Sequence, residues 1–211
     1  MSANHLLGIS GSPRRNGNSD ILLESILKGA EEAGMVTDTV CLRDYQFSSC
    51  TGCERCRKDK QCTGLNDGMT LLYPNILASP YLVLVSPTHN YNVTAMMKAF
   101  IDRLYCFYDF ADTRPRGWSS RLAGQGRRAI IAAVCEQENR EDMGVTLEAL
   151  RLPLEALGYE IVQEIAVFSL FDRGAIRDCP DLLEEAMEAG RRLTITLNLS
   201  ECCPPEDDHA H

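Results

Sequence analysis

Cys50, Cys53 and Cys56 are spaced by two residues each and Cys62 follows after five more, so four thiols fall within one short stretch. Thiols this close bring their sulfurs to one point, as in the compact runs whose thiolates converge on an iron-sulfur cluster. Structural zinc more often takes its ligands as two separated pairs. Gly52 eases the turn, and Arg55, Arg57, Lys58 and Lys60 set positive charge beside the thiols, which favours the thiolate form. Spacing alone leaves a 4Fe-4S cluster, a zinc ion and free thiols all open.

A second constellation lies nearer the N-terminus, in Gly8-Ile9-Ser10-Gly11-Ser12-Pro13-Arg14-Arg15-Asn16-Gly17-Asn18-Ser19. A loop of this kind, between a strand and a helix, aims backbone N–H groups and the helix's positive end at one spot, which suits a phosphate. Ser10, Ser12, Asn18 and Ser19 add side-chain donors, Gly17 permits a close approach, and Arg14 adds charge. The stretch lacks the Gly-Lys-Ser/Thr ending of a nucleotide-hydrolysing loop and the spaced glycines and downstream acid of a dinucleotide fingerprint. A monophosphate is the better fit. The same residue types also make turns and helix caps with no ligand, although caps alone do not explain the loop's length.

The elements that must carry these loops alternate along the chain. Strand-like runs at Leu6 to Ser10, Met35 to Leu42, Tyr81 to Val85, Arg128 to Cys135 and Tyr159 to Phe168 alternate with helix-period segments. The helical faces are marked by Leu22, Ile26, Ala30 and Ala33, by Asp67 to Ala78, by Val93 to Tyr105, by Leu147, Leu150, Leu154 and Leu157, and by Leu182, Ala186, Ala189, Leu193 and Leu197. Such alternation predicts an α/β fold, a doubly wound parallel sheet of five strands covered by helices on both faces. The domain is expected over 1–200, with a cysteine-rich insertion at 44–66 and a second insertion from Phe107 to Gly126; 201–211, with Pro204-Pro205 and an acidic run, reads as a disordered tail.

The chain has 211 residues, 45% of them apolar, and a net charge of -9. That charge argues against nucleic acid or an anionic membrane as partner. No apolar run reaches the length of a membrane span, and the first residues lack the basic and apolar regions of a secretory leader. The ten cysteines are therefore expected in a reducing, cytoplasmic setting, where clustered thiols bind metal or do redox work. Cys41 and Cys106 read as core residues and Cys202 and Cys203 as tail residues.

Gly11-Ser12-Pro13-Arg14-x-x-Gly17-Asn18-Ser19, the cysteine loop, Ser86-Pro87-Thr88-His89-Asn90-Tyr91-Asn92-Val93 and Lys98-Ala99-Phe100-Ile101-Asp102-Arg103 stand in this order in the first half of the chain. In them the sequence resembles the flavodoxin-like NAD(P)H-dependent FMN reductase family, and more narrowly its iron-sulfur flavoprotein branch. The resemblance implies a flavodoxin-like sheet of order 2-1-3-4-5, with FMN held by its phosphate in the Ser10 to Ser19 loop and by its ring beside Pro87, Thr88, His89, Asn90, Tyr91 and Asn92. Ligands of doubly wound sheets do sit at the carboxyl ends of the strands where strand order reverses, so both loops are expected to meet there. Tyr91 or His89 is expected near a ring face, and Cys135-Glu136-Gln137-Glu138-Asn139, by position alone, forms a third contact. Lys98, Asp102 and Arg103 read as helix pairing and packing. Asn66-Asp67 stands where the branch often has paired acids, and reads as a helix cap.

These readings combine into an FMN-dependent oxidoreductase, with NAD(P)H or ferredoxin as electron donor and a 4Fe-4S cluster on Cys50, Cys53, Cys56 and Cys62. No side chain is needed as acid or base. The alternative is an electron carrier fed by ferredoxin without an organic substrate. The partners expected are a small-molecule or redox-protein donor and acceptor, and further copies of the chain as a homodimer or homotetramer. The aromatic 107–126 segment is expected either at that interface or as a wall beside the ring.

Overall fold

The computed structural model describes residues 4–193. Three strands, β1 (His5–Ser10), β3 (Tyr81–Pro87) and β6 (Arg128–Val134), are apolar almost throughout and buried on both faces, as the centre of a parallel sheet requires. Polar residues recur in β2 (Val36–Cys41) and β7 (Glu160–Val167), which occupy the two edges. All pairs in this sheet are parallel, in the order β2-β1-β3-β6-β7. The five-stranded parallel sheet agrees with the sequence expectation, while its numbering departs from 2-1-3-4-5. Two further strands, β4 (Tyr108–Phe110) and β5 (Trp118–Ser120), form an antiparallel hairpin outside the sheet and precede its last two strands in the chain. Strands of three residues have too few positions to show a period of two, so this hairpin left no readable pattern in the 107–126 segment.

The helices are α1 (Asn18–Glu32), the short α2 (Cys56–Asp59), α3 (Met69–Ala78), α4 (Ala95–Arg103), α5 (Thr146–Leu157) and α6 (Pro180–Arg192). Two apolar cores result. On one face Leu72, Ile76, Phe100, Leu147 and Leu150 from α3, α4 and α5 pack on Leu7, Ile9, Leu84 and Ile131. On the other, Leu22, Ile26 and Ala186 from α1 and α6 pack on Leu6, Val83 and Ile130. Glycine lets α1 and α6 touch backbone to backbone: a Cβ at Gly29 would stand 1.8 Å from the Met187 carbonyl oxygen, and one at Gly190 1.9 Å from that of Ile26. Neither position accepts a larger residue without parting the helices.

Two helices start later than their sequence periodicity predicts. Instead of beginning at Asp67, α3 begins at Met69 with Gly68 at its N-cap position; Asp67, expected in a cap, stands one residue earlier, and its carboxylate accepts from the Met69 amide at 3.2 Å. The start of α4 is Ala95, because Thr94 caps it by accepting from the Met97 amide at 3.2 Å; its C-terminal residues tighten into a 3-10 turn, Leu104–Phe107. Leu197, Cys202, Cys203 and the expected tail at 201–211 lie outside the described residues.

Candidate functional site

β1 pairs with β2 on one side and β3 on the other, so strand order reverses beside β1 and a crevice opens at the carboxyl ends. The β1–α1 loop sits there, tied to the sheet by the Gly11 amide donating to the Val85 carbonyl at 2.8 Å and by the Thr94 hydroxyl donating to the Gly11 carbonyl at 2.7 Å. A cleft at this position is lined by Ser12, Arg14, Gly17, Asn18 and Ser19 from this loop and by Pro87, Thr88 and His89 from the loop after β3. The two loops expected to meet do meet. First-turn amides of a helix have no partner within it, so the start of α1 presents free donors to this cleft.

The remaining sequence candidates are placed differently. Ser10 is fully buried beneath the loop, and its hydroxyl donates to the Asp20 carboxylate at 2.6 Å. Asn90, Tyr91 and Asn92 form a tight turn, with Asn90 at φ 50° and Tyr91 at φ 65°, closed by the His89 amide donating to the Asn92 carbonyl at 2.8 Å. Tyr91 is exposed, and Gly144 lies so close that a Cβ there would stand 2.3 Å from the Tyr91 carbonyl oxygen. Of the third expected segment, Glu136 lines the cleft beside Val134.

The fourth wall was missed in the sequence. Leu170, Phe171 and Arg173, in the loop after β7, close the cleft opposite Pro87. Arg14 donates to the Phe171 carbonyl at 2.9 Å and lies 4.5 Å from that ring's centroid, a cation-π contact. Asn18 spans the same gap: its amide donates to the Asp172 carbonyl at 3.0 Å and its side-chain oxygen accepts from the Ile176 amide at 3.2 Å. The one available signal was position, since this loop also leaves the carboxyl end of a parallel strand.

The four clustered cysteines line a second cavity, of about 230 Å³, together with Gly52, Gly64, Leu65, Arg103 and Tyr105. Cys50 and Cys53 are exposed, while Cys56 and Cys62 are half-buried. Gly52 and Glu54 turn the chain at φ 67° and φ 56°, and Gly64 leaves room for Cys53, whose sulfur would stand 2.5 Å from a Cβ there. Among the described residues, no group of three or more His, Cys, Asp or Glu side chains is gathered as it would be round a single metal ion.

A buried arginine closes the neck of this loop. Arg103, 2% exposed, donates from Nη1 to the Ser48 carbonyl at 2.9 Å and to Asp67 at 2.8 Å, from Nη2 to Asp67 at 3.1 Å, and from Nε to the Tyr73 hydroxyl at 3.2 Å. Asp67 also accepts from the Ser48 amide at 3.0 Å, so both ends of the loop are bound to one guanidinium. Burial pushes the Asp67 pKa up, but the Arg103 hydrogen bonds outweigh it and hold it below the usual carboxylate range. Arg103 thus does more than the helix packing read from its spacing.

The thiols differ among themselves. Burial, then the neighbouring Cys62, Cys50 and Cys53, push Cys56 up, whereas the Arg55 backbone amide leads in lowering Cys53. The cationic side chains contribute less than the sequence suggested: Arg57 pairs with Glu54 at 3.2 Å and Lys60 with Asp109 of the hairpin. The hairpin therefore stands against the cysteine loop, with Arg57 5.8 Å from the Phe110 ring centroid and Arg121 donating to the Lys60 carbonyl at 2.6 Å. Cys106 is buried as expected, its pKa pushed up to about 12 by burial.

Comparison with known proteins agrees with this architecture. Residues 4–169 match the family model described as NADPH-dependent FMN reductase. An iron-sulfur flavoprotein of Archaeoglobus fulgidus is 34% identical over 157 residues, covering 72% of this chain and 68% of the relative. A second from the same organism is 38% identical over 98 residues, 46% of this chain and 44% of its own. One from Methanosarcina thermophila is 33% identical over 98 residues, 46% of this chain and 51% of its own. The chain thus spans about half the length of these two relatives. Among solved structures, an FMN-dependent NADH-azoreductase from Bacillus anthracis in complex with FMN superposes with a TM-score of 0.66 at 17% identity, covering 91% of this chain and 100% of that one. The NAD(P)H:quinone oxidoreductase of Methanothermobacter marburgensis gives 0.66 at 20% identity, with the same coverage. Both share the flavodoxin-like α/β fold.

Proposed function

Because the chain belongs to the NADPH-dependent FMN reductase family, in its iron-sulfur flavoprotein branch, we propose that it is an FMN-dependent oxidoreductase whose cysteine loop carries a 4Fe-4S cluster. The observation that carries the reading is the meeting of Ser12 to Ser19 with Pro87 to His89 in one cleft, beside a loop whose four cysteines share one cavity. The amides of Asn18 and Ser19 and the Ser19 hydroxyl, all lining the cleft, would hold the phosphate, with Gly17 leaving room beside them, and Arg14, pinned over Phe171, adds charge at the rim. Thr88 and His89 face the flavin's polar edge. Thr88 is set by its amide donating to the Val134 carbonyl at 2.8 Å and by the Thr146 hydroxyl at 3.2 Å. Leu170 and the half-exposed Phe171 form the apolar part of the wall given by the loop after β7. Bound FMN supplies the redox chemistry, taking an electron pair as hydride and releasing electrons singly, so no side chain is called on as acid or base.

The four thiols that line one cavity are the residues that would hold such a cluster. Cys50, Cys53, Cys56 and Cys62 are the ligands in this reading, and a bound cluster supplies a one-electron relay. The thiols open to the surface at Cys50 and Cys53, which favours a second reading: an electron carrier fed by ferredoxin. The eight described cysteines are all free, in keeping with a reducing, cytoplasmic setting. Among the described residues no helix is long and apolar enough to cross a membrane. In this reading the protein assembles as a homodimer or homotetramer.

Anaerobic purification with a spectrum and iron and sulfide analysis tests the cofactors. Flavin bands on a broad absorbance that dithionite bleaches, with about four irons per chain, is the expected result; a colourless protein sinks the reading. Stopped-flow reduction by NADH, NADPH and reduced ferredoxin then separates reductase from carrier. Rapid reduction by ferredoxin with neither nucleotide active establishes the carrier.

A further inference from the structure

A buried carboxylate stands in the first turn of α1, beside the cleft. Asp20, 5% exposed, is the third residue of α1 and accepts from the Ser10 hydroxyl at 2.6 Å and the Asn16 amide at 2.9 Å. The residues just before it, Gly17, Asn18 and Ser19, line the cleft. An uncompensated buried anion there would repel a second one, and repulsion between close charges is strong where water is sparse. Arg43, from the turn that follows β2, closes on this carboxylate, with Nη1 3.0 Å from one oxygen and Nη2 2.9 Å from the other. Its Nη1 also donates to the Ser12 carbonyl at 3.0 Å, inside the same loop. The pair is largely shut from solvent, at 12% side-chain exposure for Arg43 and 6% for Asp20. Of the other cations near the cleft, Arg14 is held by Phe171 and Arg15 by Asp44 at the surface, and Arg173 lines the cleft from the loop after β7.

Resting on the FMN reading above, we propose that Arg43 is a positioning residue that makes this loop selective for a phosphorylated flavin. Its guanidinium cancels the Asp20 charge and holds the Ser12 end of the loop, so that the amides of α1 face the dianionic phosphate monoester without opposition. Riboflavin, which has the same ring and no phosphate, does not feel Asp20 and gains nothing from Arg43.

Titration of FMN and of riboflavin into the wild-type protein, Arg43→Gln, Arg43→Lys and the double variant Asp20→Asn/Arg43→Gln tests this. Arg43→Gln is expected to weaken FMN binding by about tenfold or more while riboflavin binding stays within about threefold. The double variant, with neither charge, regains the wild-type preference for FMN, and Arg43→Lys keeps most of it. Equal loss of both flavins in Arg43→Gln, unchanged FMN affinity, or no recovery in the double variant overturns the proposal. Should Arg43→Gln not fold, a double or Lys variant without the FMN preference overturns it equally. A wild-type protein that binds neither flavin instead removes the FMN reading itself.

Discussion

The β1–α1 loop and the cysteine loop leave neighbouring strands of one sheet, Ser10 pairing with Cys41 at their ends, yet they are held in different ways. The first is short and bonded to β3, to the cap of α4 and to the loop after β7, with Arg43 adding a bond at Ser12, so the sheet topology shapes most of the cleft. The cysteine loop projects from the sheet with two exposed thiols and depends on a side-chain clamp at its neck and a hairpin at its flank. A cleft made by topology belongs to the fold, whereas a loop made by one buried guanidinium can be lost while the fold remains.

Arg103→Met tests that contrast with the largest expected effect. Removing one partner of a buried pair leaves Asp67 unpaired and costs about 3–5 kcal/mol. Urea unfolding should show this loss, and flavin titration of the folded protein should show an unchanged cleft. A loss below about 1 kcal/mol, the worth of a surface pair, would mean that the neck is held by something else.

On the other side of the comparison, Asn18→Ala cuts both hydrogen bonds that join α1 to the loop after β7. It should cost about 1–3 kcal/mol and weaken FMN binding while leaving iron content alone. Iron loss in this variant would mean that the two loops are not independently held.

The smallest effect is a pH dependence. Asp67 has a lowered pKa in the folded chain, so its contribution is complete above the unfolded carboxylate value of about 3.9 and is lost as pH falls through the lower folded value. Stability measured from pH 5 downward should fall by an amount on the order of 1 kcal/mol more in the wild type than in Asp67→Asn. Parallel curves would remove the Arg103 clamp as the cause of the shift.

How much of this was legible depended on whether the signal was local. Tyr81-Leu82-Val83-Leu84-Val85 reads as a strand because a strand buried on both faces must be apolar at each position. Ser12, Asn18 and Ser19 were legible as cleft residues because they lie within a few residues of each other in the loop after the first strand. Ser10 carried the same residue type, but its neighbour in space, Asp20, took its hydroxyl. Phe171 shares no motif with Arg14, more than 150 residues away, and met it only when β1 and β7 took their places in the sheet.

From residue order alone came the alternation of strands and helices, the two loops that line the cleft and the count of clustered thiols. These follow from periodicity and from donors placed close along the chain. Tertiary structure alone decided that Arg43 answers Asp20, that Arg103 closes the cysteine loop on Asp67, and that a hairpin flanks it. Charge pairs between distant segments have no period in sequence, and burial chooses them only once packing has removed water from around one of the charges.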